Sequence, residues 1–432
     1  MNIYSYQEAF GASDKTSYAM KKAIRLWNEL YFQQEATSHS DPCQRIAYTV
    51  VSKITKAVFS EYRADCLDDT LRPWLRSLEQ RQKEAVQLAL TGGECYIKPC
   101  PTGTGFSYTL IPRSNILIFA RDHWGEPVDV GMIERSSAGK YYYTLLERRT
   151  VDTQGILTIA YRLFRSMSEE SLGMEAELSE HPVYRDLPKR SRLQVGGLGL
   201  VRVRTPMINC VDGSPDAVAV FAPAVQLIRA IDQNEAQLAG EFERGQSRII
   251  VSRDLLDKDK NLTEHLFVGL DEDPETVGLT IFAPQLREQS FLARKQEYLR
   301  NVESVVGLKR GMLSDANMDE RTATEIAASQ ADYSLTVMDF QAMWAGAVEK
   351  TMVLCGRLAK LYGLGGCRDA SVQFDWGNGV LYDEEKLWQD YLDMVGRGLI
   401  APEVALGWRF GMPAETEQQR QAIRERYMPQ EA

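Results

Sequence analysis

An unbroken helical periodicity in the last third of the chain restricts its fold more than any other feature. Ala323, Ile326, Tyr333, Val337, Phe340, Trp344, Val348, Met352, Cys355 and Leu358 recur at threes and fours as far as Tyr362-Gly363, with no proline among them. A helix of about 40 residues is about 60 Å long. That is more than one compact domain needs, and it points to an elongated or assembled particle. Asp319 is placed to cap this helix, and Glu320 puts a favourable charge in its first turn. Phe340 and Trp344 read as its core.

Two shorter helical patterns precede it. Pro215 and Pro223 each suit a first helical turn, and from Pro223 a stripe of Val225, Ile228, Ile231, Leu238 and Phe242 runs to Gly245. Pro284 opens the second, which carries Leu292, Leu299, Val302 and Val306. Each has about 20 residues and would be about 30 Å long. Between them lie three β-like runs at 248–252, 266–270 and 278–282, so the pattern predicts a stalk with a small head at its tip. The head is acidic: residues 253–276 hold eight acidic and three basic side chains. That serves solubility or the docking of a basic partner. The run Asp271-Glu272-Asp273-Pro274-Glu275 reads as a solvated loop, since chelation needs oxygens aimed at one point. Residues 307–319, between the second pattern and the long helix, are rich in turn formers. Lys309 and Arg310 sit there amid Gly, Met and Ser, either as solvated loop charges or as weak phosphate contacts.

The N-terminal hundred residues read as helices. Ser13 or Asp14 caps one with Met20, Ile24, Trp27, Leu30 and Tyr31. Asp41-Pro42 punctuates, and a second carries Ile46, Val50, Ile54 and Val58. A third begins near Asp68 or Asp69, carries Leu71, Trp74, Leu78, Ala85 and Leu88, and stops at Gly92-Gly93. The period then changes to short β runs at 94–98, 106–111, 116–120, 130–134, 141–147 and 156–164, which predict an antiparallel sheet or small barrel. Residues 166–199 look like a polar, Gly-rich excursion before a strand at 200–204. After the long helix come a strand at 371–376, a turn at Gly377-Asn378-Gly379, and short helices at 384–395, at 402–408 and after Pro413.

Composition narrows the function. With 44% apolar and 25% charged residues the chain is of the folded type, and at 432 residues two or three domains are expected. No run of about 18 uncharged apolar residues exists, and the first residues lack a basic lead and an apolar core, so neither a membrane span nor a secretory signal is expected. Seven cysteines without C-x-x-C spacing suggest free thiols in a reducing compartment, and His39, His123, His181 and His265 are too scattered for a zinc site. A net charge of −10 is opposite to the basic face of a protein that grips DNA tightly. It suits a conduit past which DNA must slide.

Catalytic signatures are missing. There is no G-x-x-x-x-G-K-[ST], G-x-S-x-G, H-E-x-x-H or EF-hand pattern. Thr102-Gly103-Thr104-Gly105 lies between β runs and reads as a hairpin turn. Gly196-Gly197 and Gly199 open no helix, so they are no dinucleotide fingerprint. No catalytic residue, metal or cofactor is expected.

The run Phe221-Ala-Pro-Ala-Val-Gln-Leu-Ile-Arg-Ala-Ile-Asp232 and the run Glu241-Phe-Glu-Arg-Gly-Gln-Ser-Arg-Ile-Ile-Val251 resemble the stem helix and clip start of tailed-phage portal proteins. Residues 307–326, especially Arg321-Thr-Ala-Thr-Glu-Ile326, resemble the portal tunnel loop and the start of its long wing helix. Phe374-Asp375, Gly398-Leu-Ile-Ala-Pro402, Ile24-x-x-Trp27-x-x-x-Tyr31 and Leu90-Thr-Gly-Gly-Glu-Cys-Tyr-Ile97 are also similar to the family. The likeness runs from about 211 to 406, is weaker before 110, and is absent between about 166 and 199.

The resemblance implies a mainly helical α+β portal-type fold. Its parts would be a wing (1–213), stem helices (214–246 and 284–306), a small α/β clip (247–283) and a tunnel loop (307–319). A long wing helix with a closing strand (320–382) and a short helical crown (383–432) would follow. It implies a homo-oligomeric ring, usually of twelve subunits, at one capsid vertex of the virion, assembled in the host cytoplasm. The ring would serve DNA packaging and ejection and dock terminase, a head-completion adaptor, and the major capsid and scaffolding proteins. Double-stranded DNA would pass without sequence readout. Lys309, Arg310, Met312, Ser314, Asn317 and Met318 would face the tunnel, and Arg253, Asp254, Asp257, Lys258, Asp271, Glu272, Asp273 and Glu275 would dock partners. The family has no catalytic residues, its ATPase being the terminase. The competing readings are another head–tail connector or adaptor ring, or an enzyme acting on nucleic acid.

Overall fold

The computed structural model describes residues 3–32, 42–244, 248–252, 267–270, 280–282, 287–315, 323–365, 370–377 and 384–428. The chain divides into two units, one of residues 1–56 and 65–373 and one of residues 57–64 and 374–432.

In the first unit α1 (Ile3–Phe10), α2 (Tyr18–Phe32) and α3 (Ile46–Val58) open the chain. Met20, Ile24, Trp27 and Tyr31 form the buried stripe of α2, while Leu30 is half-buried. The cap differs from expectation: Ser17 Oγ accepts the Met20 N–H at 3.1 Å. Asp14 instead takes the Thr16 and Ile118 amides and pairs with Lys21. After β1 (Arg63–Cys66), the single third helix proves to be two, α4 (Arg72–Glu79) and α5 (Gln82–Gly92). The break shifts the register, so Val86, Ala89 and Leu90 are buried beside Ala85 and Leu88 is half-buried. Gly93 follows at φ 85°, and a Cβ there would lie 2.5 Å from the Ala217 backbone, so only glycine lets these two segments touch.

The β region forms two antiparallel sheets, not a barrel. β2 (Glu94–Pro101) is flanked by β3 (Phe106–Pro112) and, from far along the chain, β10 (Val201–Arg204). The other sheet is a meander of β4 (Ile116–Arg121), β5 (Pro127–Ala138), β6 (Tyr141–Val151) and β7 (Ile156–Ser166), extended by β8 (Met174–Ala176) and β9 (Arg190–Gln194) on β7. Successive side chains of a strand point to opposite faces. Leu146 therefore packs with Phe119, Phe164 and the α1 residues Tyr6 and Phe10. Leu145 packs on the other face with Leu163, Leu178 and Tyr184. Residues 166–199 are thus no loose excursion. They return to the sheet through β8 and β9 and cover one face.

Between β10 and the next helix, Pro215 opens no helix. Residues 217–221 form a wholly buried, non-helical segment whose backbone bonds to segments distant in the chain. The Val218 carbonyl accepts the Thr205 hydroxyl at 2.8 Å, and the Val220 N–H donates to the Leu90 carbonyl at 2.9 Å. α6 (Val225–Arg244) follows, then β11 (Arg248–Ser252), β12 (Phe267–Leu270) and β13 (Thr280–Phe282). β11 is central in this small mixed sheet, parallel to β12 and antiparallel to β13. α7 (Glu288–Val306) and α8 (Ala323–Tyr362) are the next helices among the described residues. α8 has 40 residues and lies on β2 and β10, burying Val337, Phe340, Trp344, Val348, Met352, Cys355 and Leu358. Tyr333 is half-buried, and Asp319 and Glu320 lie outside the described residues.

The strand β14 (Val372–Asp375) leads into the second unit, whose helices are α9 (Glu384–Gly396), α10 (Pro402–Arg409) and α11 (Glu417–Tyr427). Thr416 and Gln419 cap α11 reciprocally. The Arg424 guanidinium bonds Glu403 and Glu417, Phe410 stacks on Tyr427 at 4.2 Å, and Ala405 and Ile423 are buried. Among the described residues no helix is long and apolar enough to cross a membrane.

Candidate functional site

The segment with the most distinctive geometry is the helical hairpin of α6 and α7 with the loop behind it. Three cross-links set the helices antiparallel. Asn234 Nδ2 donates to the Phe291 carbonyl at 3.1 Å, Lys295 meets Glu235 at 2.9 Å, and Arg287 grips Glu241 with two nitrogens at 2.7 and 2.9 Å. Lys295 also reaches Gln44 Oε1, and the Gln44 N–H donates to Asp232, so the chain before α3 is tied to the hairpin. The seam holds Val225, Ile228, Ile231 and Leu238 of α6 with Leu299, Val302 and Val306 of α7. Phe242 and Leu292, expected on the same stripe, are instead 41% and 45% exposed. Their register is right, but the tight seam covers only the part of the hairpin nearer the loop.

α7 stops at Gly307 with φ 72°, where a Cβ would overlap Thr336 Oγ1 of α8 at 2.3 Å. From there the loop is built around one side chain. Glu303, in the last turn of α7, is 1% exposed. Its Oε1 accepts the N–H groups of Gly311 at 3.1 Å, Leu313 at 2.5 Å and Ser314 at 2.9 Å, and its Oε2 accepts the Ser314 hydroxyl at 2.8 Å. A turn closes between the Lys309 carbonyl and the Met312 N–H at 3.1 Å, and the Asp315 N–H donates to Gln296 Oε1 at 2.8 Å. Arg310 is exposed, while Lys309 and Met312 are half-buried.

Ser314 was expected to face a tunnel, yet it is only 6% exposed and its hydroxyl is spent on Glu303. Its side chain serves the loop's fold. Asn317 and Met318 lie outside the described residues, as do all eight proposed docking residues, Arg253, Asp254, Asp257, Lys258, Asp271, Glu272, Asp273 and Glu275. Glu303 escaped the sequence reading, although a signal was there. It falls one turn after Leu299, beside Val302, on the core-facing stripe, where an acid is out of place.

A buried ionic network braces the chain just before the hairpin. Glu94 is fully buried between Arg113 at 2.9 Å and Arg202 at 2.5 Å. Arg113 also reaches Asp216 at 3.3 Å and Thr16 at 2.7 Å, and Arg121 reaches Asp216 at 2.6 Å. Burial works to raise the Glu94 pKa, but the two guanidinium groups outweigh it and hold the carboxyl below its ordinary range. Glu147, between Lys98 and Arg149, follows the same logic: burial opposes ionisation, and Arg149 and Lys98 prevail.

Among the described residues no three His, Cys, Asp or Glu side chains converge as metal ligands. A cavity of about 830 Å³ lies against α2, and its charged lining groups are paired, Asp14 with Lys21, Arg25 with Glu29 and Arg113 with Glu94.

Compared with known protein families, residues 142–430 match the model of the phage portal proteins described as SPP1 Gp6-like. The match runs through 166–199, which corrects the expectation that the likeness is absent there. Among solved structures, the neck of an empty GTA particle computed with C6 symmetry is similar at a TM-score of 0.50 and 12% identity, covering 94% of this chain and 98% of that one. The neck of a native GTA particle computed with C12 symmetry gives a TM-score of 0.48 at 12% identity, covering 95% and 98%. At that identity the likeness is one of fold. No curated protein matches the chain.

Proposed function

The chain belongs to the SPP1 Gp6-like family of phage portal proteins, the head–tail connectors, and on that premise we propose that copies of it close into a ring at one vertex of the virion, through which double-stranded DNA is packaged and ejected. In this reading α6 and α7 are the stem, residues 247–283 the clip, residues 307–319 the tunnel loop, α8 the long wing helix and residues 383–432 a short crown. The clip docks the terminase and later the head-completion adaptor, and capsid and scaffolding proteins surround the ring. The chain carries no catalysis of its own. The terminase supplies the work.

The observation that supports this best is the braced loop at the base of the hairpin, which carries Lys309 and Arg310 on a chain of net charge −10. Repeated around a ring, a few cations meet phosphates at many azimuths while the bulk of the protein repels them. Each contact is weak and salt-sensitive, so DNA slides. Deleting part of 309–318 tests the assignment. Rings should still assemble, and particles should package or retain less DNA. Parental packaging by such particles would remove the loop from the mechanism.

A further inference from the structure

We propose that Glu303 is the positioning residue of the basic loop, its buried carboxylate setting the turn that presents Lys309 and Arg310 to passing phosphates. The inference rests on the reading of 307–319 as the DNA-facing loop. Three observations carry it. An anion in the last turn of a helix opposes the helix dipole, which favours cations there, so Glu303 is poorly placed for α7 itself. It is nearly fully buried, which a carboxylate tolerates only where donors replace the water it has lost. The replacement comes wholly from the loop: the Gly311, Leu313 and Ser314 amides converge on Oε1 and the Ser314 hydroxyl takes Oε2. Converging N–H groups of this kind form an anion nest. In the usual nest the ligand is foreign. Here the protein's own acid fills it, and the two cations stand directly before Gly311, the first of the amides that bind it.

The chemistry makes the carboxylate hard to replace. Glutamine keeps the volume and one acceptor oxygen, but loses the charge that strengthens each bond, and its NH₂ forces the Ser314 hydroxyl to turn round and accept. Alanine leaves the amides without a partner.

Rings and filled particles made with Glu303→Gln, Glu303→Ala, Ser314→Ala and the double variant Lys309→Ala/Arg310→Ala distinguish the possibilities. In assembled rings, hydrogen exchange at residues 311–314 should quicken about tenfold in Glu303→Gln, more in Glu303→Ala and less in Ser314→Ala. DNA retention by particles, followed against salt, should fall in both Glu303 variants with the flattened salt dependence of the double variant. A defect confined to folding would lower ring yield and leave that dependence parental. If the double variant retains DNA as the parent does, the functional reading of the loop fails. If the double variant loses DNA while Glu303→Gln, with faster exchange, retains it normally, the reading stands and the positioning role falls. Unchanged exchange in Glu303→Gln overturns the role directly, as does failure of both Glu303 variants to form rings, which would assign the residue to assembly.

Discussion

At Glu94 two effects of burial compete, and their order decides how the protein responds to acid. Removal from water favours the neutral acid; Arg202 and Arg113 favour the ion more strongly, so the folded pKa lies below the unfolded one. The linkage sign follows: the stabilisation is complete above the unfolded value of about 4.3 and is lost as pH falls further, through the folded value. Glu147 works in the same window and direction. Calorimetry from pH 7 to 3 should therefore show a flat melting temperature that falls steeply below about pH 4.3. Glu94→Gln should lose about 3–5 kcal/mol at neutral pH, because two buried guanidinium groups lose their counter-ion, and its acid fall should be shallower. An equal fall in parent and variant would show that Glu94 is not the titrating group. None of this was legible beforehand. Arg202 stands 108 positions from Glu94, and spacing says nothing of a pair that only the fold brings together.

Helix by helix and strand by strand, period carried most of the information. The stripes of α2 and α3 and that of α8 from Val337 to Leu358 are buried as their period predicts, and β2 to β7 form on the predicted runs, although β2, β4 and β6 are covered on both faces and so do not alternate. The failures were local. The α4–α5 break contains no Gly or Pro to announce it, and Pro215 signalled a helix that the buried 217–221 segment overrides. In the hairpin, Ile231 is wholly buried whereas Phe242 and Leu292 are exposed. Ile231→Ala should cost about 2–5 kcal/mol in a melting experiment on the isolated chain. Phe242→Ala and Leu292→Ala should leave that melting point within about 0.5 kcal/mol of parent and instead weaken association, read by native mass spectrometry. A large loss of chain stability from either would place them in the chain's own core.

For the molecule as a whole, the 40-residue helical pattern is the sequence's strongest statement, and the structure carries it as one helix of 40 residues. The extent of the family likeness was less legible. Residues 166–199 lie within the match, yet their polar composition hides a sheet-covering segment whose apolar members, Leu178 and Tyr184, are far apart in any short window. Purified protein should give closed rings whose mass is a whole multiple of 48.9 kDa, with an axial opening and a projecting stalk by electron microscopy. A stable monomer at micromolar concentration would contradict the ring.

The contact between Gly307 and Thr336 bears on how such a ring answers force. Bare backbone at the end of one rod sits flush against a hydroxyl on the next, with no room for even a methyl group between them. In the proposed ring, a push on the loop toward α8 would meet no slack at its root and would pass through that helix to the sheet on which it lies.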